Sequence, residues 1–200
     1  MPAKMKFPRI LTEEEVARMM HAAEKSGRTG RRDLMLLKCL YYLGLKSSEL
    51  VNMHTDDIDF EKNVVLIGND NIREVMIPGA FTFELEKFIE GRKRKYGLNR
   101  EHETLNSLLV FPGRAEGKLS DRHIRRIVKH YARLANVRNY EEVKPHTLRV
   151  SYATHLRKEG VPVKAIQEML GHARRETTYM YTHGMSKVEI SEDSTPEEGD

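Results

Sequence analysis

Apolar residues recur at helical spacing along most of this chain, and one stretch changes to a strand-like period. Thr12-Glu13-Glu14-Glu15 reads as a capping box: the Thr12 hydroxyl accepts from the amide three residues on, and Glu15 reaches back. Val16, Met19, Met20 and Ala23 follow at helical spacing and predict a first helix ending near Ser26-Gly27. Asp33 to Leu43 is apolar almost all round, which predicts a buried helix ended by Gly44. A short helix from Ser48 to about Met53 should follow. From Ile58 the pattern turns β-rich, with runs Asn63–Ile67 and Arg73–Ile77 around the turn residues Gly68-Asn69-Asp70-Asn71. That is a hairpin, and Ile58-Asp59-Phe60 offers a third strand.

Phe81 to Tyr96 predicts another helix, with Phe81, Leu85, Phe88 and Ile89 on one face. Residues 97–119 read mostly as loop around the apolar piece Leu108-Leu109-Val110-Phe111. Ser120 then caps a helix whose apolar stripe is Ile124, Ile127, Val128, Tyr131, Leu134 and Ala135. Two more helices, His146 to Lys158 and Val163 to Leu170, are ended by Gly160 and Gly171. A last short helix is expected from about Glu176 to Tyr181. The fold class is mainly α with a small antiparallel β-sheet (α+β). Residues 1–185 form one domain and residues 186–200 an acidic disordered tail.

Composition adds charge to this picture. An apolar fraction of 39% and a charged fraction of 32% suit a globular domain with a real core. No run approaches the ~18 apolar residues of a membrane span, and residues 1–11 lack the apolar stretch of a secretory signal. The single cysteine, Cys39, lies in an apolar run and reads as a core residue. A cytoplasmic protein is expected. The net charge of +4 hides an asymmetry: residues 186–200 carry one Lys and six acids, so residues 1–185 carry 33 basic and 24 acidic side chains. A body this basic attracts a polyanion, and nucleic acid is the obvious one.

Three segments carry candidate chemistry. In Pro145-His146-Thr147-Leu148-Arg149, His146 and Arg149 fall on one helix face, a plausible phosphate grip. In Leu170-Gly171-His172 the imidazole taken alone reads first as a helix C-cap. In Thr177-Thr178-Tyr179-Met180-Tyr181-Thr182-His183 a tyrosine suits reversible phosphoryl transfer, because phenolate can leave again. Either tyrosine could instead be a packing aromatic.

Together they form a pattern: His146-x-x-Arg149, 23 residues to His172, then nine to Tyr181. This resembles the tyrosine recombinase (phage integrase) family, Xer-type recombinases included. PHTLRVSYATHLRKEGVPVKAIQEMLGH is similar to the family's PHxLRHSFATHLL…G…VIQxLLGH, and TTYMYTH to its TTxIYTH. The likeness runs from about Pro8 to His183 and takes in LTEEEVARMM, GLKSSELVNMHTDDID, the hairpin and VFPGRAEGKLS. It implies the catalytic-domain fold of that family and a site-specific recombinase or integrase acting on double-stranded DNA. By resemblance, Tyr181 attacks a phosphodiester to form a 3′-phosphotyrosyl link and release a 5′-hydroxyl. Arg149 would hold a non-bridging oxygen, His146 would assist proton transfer, and His172 would contact the phosphate from the other side. No cofactor and no metal is implied, since side-chain cations do the neutralising. No thiol lies near the histidines, and no His pair has a familiar ligand spacing with a third ligand close by.

The sequence departs from the family at two positions. Lys46 stands in Gly44-Leu45-Lys46-Ser47-Ser48-Glu49-Leu50, where GLRxSEL carries the first catalytic arginine. Lysine keeps the charge but loses the planar fork. A lost contact of that kind costs roughly 2–4 kcal/mol, or about two to three decades of rate. Glu49 matches the acid that usually supports that arginine. In the hairpin, Asn69 falls where GKGxKxR carries a general-acid lysine, and Arg73 is the nearest cation there but a poor acid. An attenuated enzyme, or a recombinase-like DNA-binding protein with little cleavage, is the corresponding expectation.

Arg122, Arg125, Arg126, Lys129 and Arg133 lie off the apolar stripe of their helix and are candidate DNA contacts, a solvated basic face being the other reading. By resemblance, members carry an N-terminal DNA-clamping domain of about a hundred residues; here Met1 stands just ahead of the catalytic part. They also assemble as tetramers on DNA by passing on a C-terminal segment. Here Ser186 to Ile190 would serve, in a protein that is monomeric when free.

Overall fold

The computed structural model describes residues 9–68, 72–96, 109–113, 118–172 and 177–178. Helix α1 spans Glu13–Glu24, α2 Gly30–Tyr42, α3 Ser47–Asn52, α4 Gly79–Tyr96, α5 Asp121–Leu134, α6 Pro145–Lys158 and α7 Val163–Leu170. Strands β1 Ile58–Asp59, β2 Val64–Ile67 and β3 Arg73–Met76 form one antiparallel sheet in that order. Val65 pairs Val75 and Ile67 pairs Arg73, so one face presents buried Val65, Ile67 and Val75 while Leu66 and Met76 face outward. No helix among the described residues is long and apolar enough to cross a membrane.

Local chemistry explains the element ends. The Thr12 capping box forms in both directions, Glu15 N–H to Thr12 Oγ1 at 3.1 Å and Thr12 N–H to Glu15 Oε2 at 3.0 Å. Such a cap stabilises by about 1 kcal/mol. Ser120 Oγ accepts from His123 N–H at 3.2 Å and starts α5. Gly171 closes α7 in the left-handed conformation (φ 64°). Its N–H bonds Glu168 O and the His172 N–H bonds Gln167 O, both at 3.1 Å, which satisfies carbonyls the last turn would otherwise leave open.

Two expectations need correction. Leu134, placed in the α5 stripe, is 47% exposed, and Ala132 takes the buried place. The last turn is packed through Tyr131, Ala132 and the following Ala135, and Leu134 falls at the outer edge of that stripe, where it faces solvent. Helix α2 begins at Gly30, three residues before the apolar run, with Arg31 exposed and Arg32 folded onto Asp33 in the added turn. Its buried Asp33 is satisfied: Arg32 donates to Oδ1 from Nε (2.9 Å) and Nη2 (2.7 Å), and Tyr131 donates to Oδ2 at 3.0 Å.

Helix α6 is the central element. Residues Thr147 to His155 along it are all buried, so it shows no clean stripe. It packs on α2, α5 and α7. Its polar groups are paired inside: Ser151 Oγ accepts from Leu11 N–H at 2.8 Å and donates to Thr147 O at 2.7 Å. Tyr41 OH and Leu11 O flank the two His155 nitrogens at 2.6 and 2.9 Å. Burying polar groups costs little only when each is bonded in this way. The result is a rigid α6 whose N-terminal turn carries His146 and Arg149.

Candidate active site and nucleic-acid interface

Arg149 is buried to 2% exposure where the ends of α2 and α7 meet. Nη1 donates to Gly44 O and Nη2 to Leu170 O, each at 2.5 Å, and Nη1 lies 3.7 Å from Glu49 Oε2. Gly44, in the left-handed conformation (φ 56°), lets this approach happen: a Cβ there would stand 2.5 Å from Leu170 Cδ2. His146 sits three residues earlier, exposed at the start of α6. Partial desolvation, then the charges of Arg149 and Lys144, holds its imidazole below the ordinary histidine range.

His172 follows α7 directly. Its Nδ1 is 2.9 Å from Thr178 Oγ1, so the imidazole faces the next segment rather than the α7 carbonyls. Desolvation, then Arg149, Lys46, Arg73 and His146, pushes its pKa down to about 4. A neutral ring cannot cap a helix by charge, so the capping that His172 provides is that of its backbone N–H. Thr178 is fully buried. Tyr181, Tyr179 and His183 lie outside the described residues, as do Asn69 and the acidic tail.

The Glu49 carboxylate organises the cations around Arg149. Its Oε2 accepts from Lys46 N–H at 2.7 Å, the reciprocal half of an N-terminal cap on α3. Arg73, at the first position of β3, forks onto it from Nη1 (2.8 Å) and Nη2 (3.1 Å). Burial alone would raise the Glu49 carboxyl. The Arg73 hydrogen bonds, the Lys46 amide and the charges of Arg73 and Arg149 more than offset it and hold the group below its ordinary value. Lys46 Nζ is only 4.0 Å away, on a side chain 57% exposed. The geometry therefore brings His146, Arg149, His172 and Lys46 to one end of the domain and adds Arg73, which sequence reasoning noted only as a nearby cation. The contact that places it spans 24 residues and joins a strand to a helix, so neither local period reveals it.

A basic groove lies on a neighbouring face. Arg126, His123 and His130 of α5, with Lys118, Ser120, Thr29 and Arg32, line a concavity of about 720 Å³. It shares Thr29, Arg32, Pro112 and Gly113 with a second of about 450 Å³ that adds Arg28, Arg31 and Arg92. Lys118 also lines a third hollow, of about 440 Å³, with Ser48 and Glu49. Of the five α5 cations expected on DNA, only Arg126 lines the groove; Arg122, Arg125, Lys129 and Arg133 stand exposed elsewhere on α5. Arg125 is paired to Asp121 at 2.6 Å. The cations contributed by α2 and α4 were missed, although Arg28, Arg31 and Arg32 form a visible basic run.

This helical scaffold with its small sheet, and the His-Arg pair opening α6 with His172 closing the site, are those of a tyrosine-recombinase catalytic domain. The chain belongs to the phage integrase family, whose profile matches residues 9–187. It is 36% identical over 177 residues to the tyrosine recombinase XerA of Thermococcus kodakarensis, covering 88% of this chain and 58% of that protein. It is 30% identical over 200 residues to the tyrosine recombinase XerC of Thermodesulfovibrio yellowstonii, covering 96% and 64%. Among solved structures, the XerH site-specific recombinase in a pre-cleavage complex with its difH substrate superposes with a TM-score of 0.75 at 26% identity, covering 89% of this chain and 51% of that one. A XerA recombinase crystal structure gives a TM-score of 0.75 at 24% identity, covering 92% and 63%, and shows the shared fold. The chain thus spans between half and two thirds of the length of these relatives.

Proposed function

We propose that this chain cuts and rejoins double-stranded DNA at a specific site through a 3′-phosphotyrosyl intermediate. The observation that carries the proposal is the convergence of His146 and Arg149, from the start of α6, with His172, from the end of α7, around one charged end of the domain. In the cleavage step the Tyr181 Oη–phosphorus bond forms and the P–O5′ bond breaks. The phenol proton passes to His146, whose neutral ring can accept it, and the leaving 5′-oxygen takes a proton from solvent or a nearby donor. Arg149 stabilises charge on a non-bridging oxygen. With the Thr178 hydroxyl donating to Nδ1, the neutral His172 carries its proton on Nε2 and donates to the phosphate. The basic groove from Lys118 to Arg92 takes the flanking backbone, where contacts position the duplex without reading it.

Relatives named as recombinases, and the superposition on one solved with a substrate described as pre-cleavage, support this reading. A second reading, a DNA-binding protein with little cleavage, is favoured by the exposure of Lys46 at the usual arginine position. A nicked suicide duplex carrying the cognate inverted repeat separates the two. The wild type should form a covalent protein–DNA adduct that Tyr181→Phe abolishes. Binding with no adduct would overturn the enzyme reading.

A further inference from the structure

We propose that Arg73 is a catalytic residue of this site, its guanidinium gripping the scissile phosphate in place of the arginine that Lys46 replaces. The inference rests on the recombinase reading above and deepens it for this chain's own residues.

Arg73 is held from three sides. Both Glu49 oxygens accept from its terminal nitrogens, and Nε donates to Met169 O at 3.1 Å. Its side chain is only 15% exposed, against 57% for Lys46. Three of the five guanidinium donors are engaged by these bonds, and one N–H on each terminal nitrogen is left over. The orientation is therefore fixed before any ligand arrives. A preorganised donor stabilises a developing charge without reorganising, which a flexible ammonium 4.0 Å from its partner does not achieve.

Its neighbours place that fork within the site. Arg73 and Arg149 share the Glu49 carboxylate and bond successive carbonyls at the end of α7, Met169 O and Leu170 O. Two guanidiniums therefore stand side by side, with a single carboxylate between them. Arg73 also lies flat against Gly171, where a Cβ would meet its Cδ at 2.8 Å and Nε at 3.0 Å. The next residue is His172, whose imidazole feels the Arg73 charge. A pair of cations sharing one acid keeps a net positive charge, and a phosphodiester anion is the ligand that completes it.

The test compares wild type, Arg73→Gln and Arg73→Lys on duplexes carrying either an ordinary or an uncharged methylphosphonate linkage at the scissile position. On the ordinary suicide substrate, Arg73→Gln should slow single-turnover cleavage on the order of a hundredfold. Arg73→Lys should recover only part of that. With methylphosphonate the gap between wild type and Arg73→Gln should narrow, because the ground state is neutral and the transition state carries one negative charge fewer for Arg73 to meet. A merely structural role would slow both substrates equally and would lower the melting temperature of Arg73→Gln in proportion, and that result overturns the proposal. So would cleavage by Arg73→Gln within about threefold of wild type.

Binding in a Tyr181→Phe background tests Arg73 independently of turnover. Affinity should fall when methylphosphonate replaces the scissile phosphodiester, and Arg73→Gln should erase that preference. Should the wild type cleave nothing, the recombinase reading fails while this preference still decides the role of Arg73. An unchanged preference in Arg73→Gln overturns it.

Discussion

Gly44 O and Leu170 O both accept from Arg149 at 2.5 Å, and the two glycines beside these bonds have no room for a Cβ, Gly44 because of Leu170 Cδ2 and Gly171 because of the Arg73 side chain. Gly171 carries two constraints together, a left-handed backbone (φ 64°) and the Arg73 side chain packed across it. Gly171→Ala should therefore lose about 1–2 kcal/mol from the backbone alone and also push the Arg73 fork off Glu49. Gly160 is the control, since its φ of 91° is also positive but nothing stands within 4 Å of a Cβ there. Both variants should melt early, and only Gly171→Ala should lose suicide-substrate cleavage beyond its stability loss. Equal cleavage by the two would contradict the packing argument. At this scale the sequence was partly legible. His146, Arg149 and His172 were identifiable because their spacing forms a pattern. The role of Arg73 was not, because Glu49 and Met169 reach it only through tertiary packing.

Where an element's chemistry is local, the sequence displays it. The capping box at Thr12, the cap at Ser120, the hairpin runs and the glycine stops all stand close to where their residue types place them. Helix α6 was harder, since burial on every side removes the periodic contrast that marks a helix face. Leu134 shows the opposite failure: it sits at the edge of a stripe whose last turn is buried through Tyr131, Ala132 and Ala135, so an apolar residue there still faces solvent. Basic faces also divide on structure in a way the period hides, with Arg126 in the groove and Arg125 tied to Asp121 outside it. Removing Arg125 and Arg126 together by alanine substitution should flatten the dependence of log affinity on log salt, by up to about 2 in slope if both meet phosphate. An unchanged slope would take α5 off the DNA. A reduction near one would assign the contact to Arg126.

Over the whole molecule, charge and burial work against each other at the site. His146, His155 and His172 all titrate below the ordinary value of 6.5, each chiefly through desolvation. The unfolded chain then binds more protons than the folded one below that pH, so acid favours unfolding. The stability these three contribute is present in full above pH 6.5 and drains away as pH falls, for His172 down to about 4. Glu49, held below its ordinary value of 4.5, adds a loss in the same direction at the acid end. The melting temperature should thus fall steadily from pH 7 to pH 4, and a His172→Gln variant should show a shallower fall. A profile as steep in that variant would mean that His172 is not neutral in the folded protein. The same neutral ring, set among the cations Arg149, Lys46 and Arg73, is suited to donating a hydrogen bond to an anion rather than to adding charge.

The identity of the atom that becomes joined to DNA decides the mechanism. Peptide mass spectrometry of the adduct trapped on a nicked suicide duplex reads this directly. A nucleotide 3′-phosphate carried on the Tyr181 phenol is the predicted result. The same mass on Tyr179 or on any other residue, or full-strength DNA binding with no covalent product, would contradict it.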